Sequence, residues 1–131
     1  MPPRGGDASH ALEMARGLKG HVHAVNVTDG SRAVMRMSSL AVARLLLDEG
    51  IEPVLQMACR DRNRIAIQAD LLGAHALGIR NLLCLTGDPV RAGDQPKARP
   101  VNELESVRLL QQVTAFNRGD DPVKGELADG P

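Results

Sequence analysis

Three short apolar runs, centred on Val25, Leu55 and Leu83, recur at intervals of roughly thirty residues, the length of one strand-plus-helix unit in a parallel α/β fold. Between them lie segments whose apolar residues return every three or four positions. The pattern predicts helices over residues 7–18, 38–49, 63–77 and 102–116, and strands over residues 21–27, 53–59 and 81–85. Asp7 and either Ser38 or Ser39 are placed to cap the first two helices, while Gly20, Gly50 and Gly78 are placed to stop the first three. The strand segments are continuously apolar rather than alternating, which predicts a parallel sheet covered by protein on both faces. A doubly wound sheet and a (β/α)8 barrel share this local pattern.

Several functions are excluded or disfavoured at once. No strand is followed by the glycine triplet of a dinucleotide fold, and no GxxxxGK[ST] loop is present. The chain has 131 residues, with 16 Lys and Arg balancing 16 Asp and Glu, so no net charge draws it to nucleic acid. Phe116 is its one aromatic residue, which leaves no platform for stacking bases or sugars. The longest nearly uninterrupted apolar stretch, residues 40–47, contains Arg44 and falls far short of the ~20 residues that span a bilayer. No secretory run opens the sequence, and Cys59 and Cys84 sit inside apolar segments as reduced core residues would. A cytoplasmic protein without membrane or nucleic-acid partners is expected. His10, His21, His23 and His75 show no ligand spacing, so no metal site is expected either.

The functional signal is at the ends of the strands. They close on Thr28-Asp29-Gly30, Cys59-Arg60-Asp61 and Thr86-Gly87-Asp88. Barrel active sites are assembled from strand C-terminal ends, so these three groups are expected on one rim. Asp88, between a glycine and a proline, is a carboxylate on a tight turn; its ordinary reading is a loop acid or helix cap. Thr28 reads ordinarily as a turn residue. Gln56 is an amide inside an apolar strand and needs hydrogen-bond partners if buried. The run Arg60, Asp61, Arg62, Arg64 reads first as a solvated helix start, with Asp61 favouring the helix N-terminus and Arg60 or Asp61 able to turn inward. Lys97 and Arg99 read as surface charge, or as contacts for a ligand's phosphates.

The stretches Val25-Asn26-Val27-Thr28-Asp29-Gly30, Arg36-Met37-Ser38-Ser39-Leu40 and Cys59-Arg60-Asp61-Arg62-Asn63-Arg64 are joined in order by three more. These are Asp70-Leu71-Leu72-Gly73-Ala74, Leu77-Gly78-Ile79-Arg80-Asn81 and Leu85-Thr86-Gly87-Asp88-Pro89. Together, from Pro2 to about Gly119, they closely resemble the methylenetetrahydrofolate reductase family. The resemblance implies a flavin-dependent (β/α)8 TIM-barrel enzyme that reduces 5,10-methylenetetrahydrofolate to 5-methyltetrahydrofolate. FAD would be the cofactor, and a reduced nicotinamide or another donor the electron source. It implies cofactor-binding roles for Thr28, Gln56, Thr86, Gly87 and Asp88, with Asp88 also the catalytic carboxylate near flavin and folate. Gln56 stands where some members of the family have a histidine.

In the family a glutamate on the first strand lies three residues ahead of the Pro-Pro pair that matches Pro2-Pro3. Here only Met1 precedes that pair, so the proposed acid and most of that strand are expected to be lacking. A complete barrel of this kind needs about 250 residues. The expectation is therefore a partial barrel over residues 1–119, with about three parallel strands and four helices, and a tail or truncated connection over 120–131. Its completion would fall to a homo-oligomer or a second chain. The alternative is a non-catalytic flavin- or folate-binding accessory module, or an incomplete product that folds poorly alone.

Overall fold

The computed structural model describes residues 1–121 and 125–127. Strands β1 (Val25–Val27), β2 (Pro53–Ala58) and β3 (Asn81–Leu85) form one parallel sheet in the order β1-β2-β3, interleaved with helices α1 (Ser9–Leu18), α2 (Ser39–Asp48), α3 (Arg64–Ala76) and α4 (Ser106–Asn117). This is the expected inventory of three parallel strands and four helices. In the register, Val27 lies opposite Leu55, and Gln56 and Ala58 lie opposite Leu83 and Leu85. A short antiparallel pair, β4 (Asp120–Asp121) with β5 (Gly125–Glu126), follows α4 where a tail was expected.

The helices share one side of the sheet. Val25 and Val27, Leu55 and Met57, and Leu82 and Cys84 alternate onto a single face. There they join Ala15 of α1, Val42, Ala43 and Leu46 of α2, Ile67 and Ala74 of α3, and Leu109 of α4 in one hydrophobic cluster. The spacing of Ser39, Val42, Ala43 and Leu46 is one stripe of a 3.6-residue repeat, which is why α2 lies flat on β2. The opposite face carries Asn26, Val54, Gln56, Leu83 and Leu85, none of which belongs to that cluster. Leu83 is 41% exposed. Contrary to expectation, then, helices cover only one face among the described residues, and the polar Asn26 and Gln56 mark the other. Sequential strand order with all helices on one side is singly wound, the local geometry of a TIM-type barrel.

The element boundaries have local causes. The first strand was expected from residue 21, but the His21 amide donates to the Leu18 carbonyl, so a turn occupies the segment before Val25. Asp7 does hold the start of α1, accepting from both the amide and the hydroxyl of Ser9. Ser38 makes no side-chain cap, whereas the Ser39 hydroxyl donates to the Gln56 carbonyl and ties α2 to β2. Helix α4 starts four residues later than predicted. The Val101 amide donates to the Arg60 carbonyl, Leu104 is buried, and both carboxylate oxygens of Glu105 accept from the amides of Val107 and Arg108. Cys59 and Cys84 are free thiols, and burial raises the pKa of both.

Leu109 is fully buried at the contact of α4 with the sheet. Leu109→Ala should cost about 2–5 kcal/mol in a urea titration, because it leaves a cavity in the shared core. Leu83→Ala, on the uncovered face, should cost less than about 1 kcal/mol. Comparable losses at both positions would contradict the one-sided packing.

Candidate functional site

The C-terminal ends of the three strands meet, and buried charge holds them together. Asp29, just past β1, accepts the Ala58 amide at the end of β2 at 2.8 Å and pairs with Arg62 at 2.5 Å. The side chains of Arg62 and Asp29 are 16% and 10% exposed. Arg62 also donates to the Ala58 carbonyl and to Asp70 on α3, both at 3.0 Å. Burial opposes the charge on Arg62, but the hydrogen bonds and charges of Asp29 and Asp70 outweigh it and the guanidinium is held protonated.

Arg60 lies deeper, at 4% exposure. Its guanidinium forks onto Asp61 at 2.9 and 2.6 Å, and its remaining nitrogen donates to the carbonyls of Gly30 and Asp88, each at 3.3 Å. The hydrogen bonds it donates to Asp61 keep Arg60 firmly charged despite its burial. The charge run is therefore split: Asp61 and Arg64 are exposed at the helix start, Arg60 takes the inward alternative, and Arg62, for which no inward turn was expected, is largely buried as well. Asp61 is half exposed, whereas Arg60 and Arg62 turn inward because strand-end carbonyls and Asp29 need donors.

The loops after β1 and β3 also touch directly, reaching across the end of β2. Asp88 accepts the Arg32 amide at 2.7 Å, and Asp94 accepts the Met35 amide at 2.9 Å while pairing with Arg4. Arg32 and Ala33 adopt left-handed backbone angles, with φ of 59° and 56°. Such angles are costly for residues with side chains and persist only where surroundings impose them. Here Gly93 presses on the turn so closely that a Cβ on it would sit 1.8 Å from the Ala33 carbonyl oxygen.

The structure brings Thr28, Thr86, Gly87 and Asp88 to the same end of the sheet. The Thr28 hydroxyl oxygen is buried and has no hydrogen-bond partner among the described residues. Gly87, at φ 100°, passes so near Arg60 that a Cβ would meet the Arg60 Cβ at 3.0 Å. Asp88 is exposed, with one carboxylate oxygen on the Arg32 amide and the other carrying no bond among the described residues. Thr86 differs from the others, because its hydroxyl oxygen accepts the Ser106 amide and so serves the start of α4. Gln56 stands inside β2, on the uncovered face, half-buried and with its amide free of partners among the described residues. Sequence reasoning passed over Asp29. Its signal was an acid directly after an apolar strand, with an arginine-rich run at the end of the next. A groove of about 750 Å³ lies away from this rim, between α3 and α4, and is lined by Leu71, His75, Ile79, Val113 and Phe116.

A singly wound parallel α/β layer whose strand ends converge on a glycine-lined rim of paired charges defines the class: a partial layer of TIM-barrel type, a fold whose sites lie at the C-terminal edge of the sheet. Residues 1–125 match the methylenetetrahydrofolate reductase family, and the chain belongs to that family. Membership associates it with folate-linked one-carbon reduction, an oxidoreductase role. No curated protein matches the chain. Among the described residues no helix is long and apolar enough to cross a membrane.

Arg62→Met leaves Asp29 as an uncompensated, largely buried charge and should lower stability by about 3 kcal/mol in denaturant titrations. The double change Arg62→Met with Asp29→Leu should recover part of that loss. Equal stability of Arg62→Met and the parent would show that the pair does not join the strand ends.

Proposed function

We propose that this chain takes part in the flavin-dependent reduction of 5,10-methylenetetrahydrofolate to 5-methyltetrahydrofolate in the cytoplasm. FAD is the cofactor in this reading, and a reduced nicotinamide or another reductant supplies electrons. The observation that carries the reading is the polar rim itself, within a family match that covers most of the chain.

The residues suit a flavin. The buried Thr28 hydroxyl has an unused hydrogen-bonding oxygen, and the Gln56 amide offers a donor and an acceptor on the uncovered face. Gly87, lacking a side chain, lets the end of β3 pack against Ala58 and Arg60 and so sets the turn that presents Asp88. Thr86 can still donate its hydroxyl proton while its oxygen accepts from Ser106. FAD, when bound, supplies the capacity to take and give two electrons.

The chain's own contribution is to fix charge. The Arg32 amide anchors one oxygen of Asp88 and leaves the other to face a ligand. A carboxylate held in this way favours the cationic iminium form of the folate, the form that is reduced, and needs no reorganisation during the reaction. In this reading the outer edges of β1 and β3 and the face left uncovered among the described residues are where further strands of a barrel would pack.

Purified chain mixed with FAD should show a shifted flavin absorbance spectrum, and Thr28→Ala should weaken FAD binding by about tenfold, the loss of one hydrogen bond. A spectrum identical to that of free FAD would remove the flavin assignment. Asp88→Asn should slow folate reduction more than flavin reduction in stopped-flow half-reactions, and equal losses would count against the role given to Asp88. FAD binding without any turnover would leave the chain a binding module.

A further inference from the structure

Resting on the reading of Asp88 as the ligand-facing carboxylate, we propose that Arg60 is its positioning residue: a buried guanidinium that sets the Asp88 turn by clamping it to the Gly30 turn across the end of β2. Arg60 is the only described side chain whose hydrogen bonds reach the loops after both β1 and β3. One nitrogen, Nη1, serves the carbonyls of Gly30 and Asp88, while Nε and Nη2 are occupied by Asp61. The Asp61 fork fixes the plane of the guanidinium, and that plane fixes where Nη1 can lie.

The glycines on either side fit the same assignment. A Cβ on Gly30 would stand 2.6 Å from Nη2 of Arg60, and one on Gly87 would stand 3.0 Å from the Arg60 Cβ. Both turns are shaped around this one side chain, and Gly30 and Gly87 also hold positive φ angles of 54° and 100°. The Asp88 residue is thus gripped twice: at its carbonyl by Arg60, and at its carboxylate by the Arg32 amide two residues beyond Gly30. Loosening the first grip should release the second. Lysine keeps the charge but has no planar fork, so it cannot hold Asp61 and both carbonyls at once.

The test uses the 131-residue chain with two variants that disturb the clamp by different routes. Arg60→Lys removes the fork, and Gly30→Ala displaces the guanidinium while leaving Arg60 in place. Hydrogen exchange at the Arg32 amide, read by NMR on ligand-free protein, should accelerate by about tenfold or more in both, as expected for loss of a charge-assisted hydrogen bond. Exchange in the centre of β2 should stay at the parent rate. FAD titration should then show about tenfold weaker binding in both variants. An unchanged Arg32 amide in a folded variant overturns the inference, and so does unchanged FAD affinity where the parent binds FAD. If the parent binds no FAD, the functional reading fails, and the Arg32 amide alone still decides whether Arg60 sets the Asp88 turn. Should Arg60→Lys not fold, Gly30→Ala gives the same readout.

Discussion

The pairing of Asp29 with Arg62 fastens the end of β1 to the end of β2, and Arg60 carries the join on to the loop after β3. A short parallel ladder such as β1 against β2 has few hydrogen bonds of its own, and its last residues would fray without further support. Asp29 extends the ladder by accepting the Ala58 amide, and Arg62 satisfies Asp29 while reaching back to the Ala58 carbonyl and out to α3. With this end of β2 immobile, Arg60 is carried into the space between the flanking loops. Everything that is chemically interesting in the chain is built on that fixed point.

The groups that hold this rim together are not the ones to which ligand contacts are proposed. Arg60, Asp61, Arg62 and Asp29 satisfy one another and the backbone, so none of them is left to meet a ligand. The Thr28 hydroxyl, the Gln56 amide and one oxygen of Asp88 have no internal partner among the described residues. Buried or half-buried polar groups without partners are disfavoured in a finished core, which is why the proposed ligand contacts are assigned to Thr28 at the strand ends and Gln56 within β2. The strained Arg32–Ala33 turn belongs to the same arrangement, since it points the Arg32 amide at Asp88.

Much of the fold was legible in the sequence because it rests on local periodicity. The repeat of apolar runs around Val25, Leu55 and Leu83 located all three strands, and β3 occupies the residues predicted for it. Helices α2 and α3 fall within one residue of their predicted limits at each end; Asn63 caps the start of α3, and Gly50 and Gly78 follow the two helix ends. The start of α4 was misplaced because a tertiary hydrogen bond, from the Val101 amide to Arg60, overrides the local pattern. The inward turn of Arg60 was left as an alternative, and that of Arg62 went unforeseen, for a similar reason. Sequence alone cannot show that a carbonyl on a distant turn needs a donor, and Gly30 and Asp88 lie about thirty residues to either side of Arg60.

The sequence by itself determined that the chain forms parallel strands joined by helices, that their ends are polar, and, through six ordered motifs, which family it resembles. These properties reside in short segments, where side-chain period and turn residues act locally. Only the tertiary structure decided that the helices lie on one face of the sheet, that Thr86 serves a helix start, and that Arg60 and Arg62 are internal. Each of those outcomes depends on which distant groups are brought within hydrogen-bonding reach. Strand order and the demand that buried donors and acceptors be paired settle that together, and neither can be read from one segment at a time.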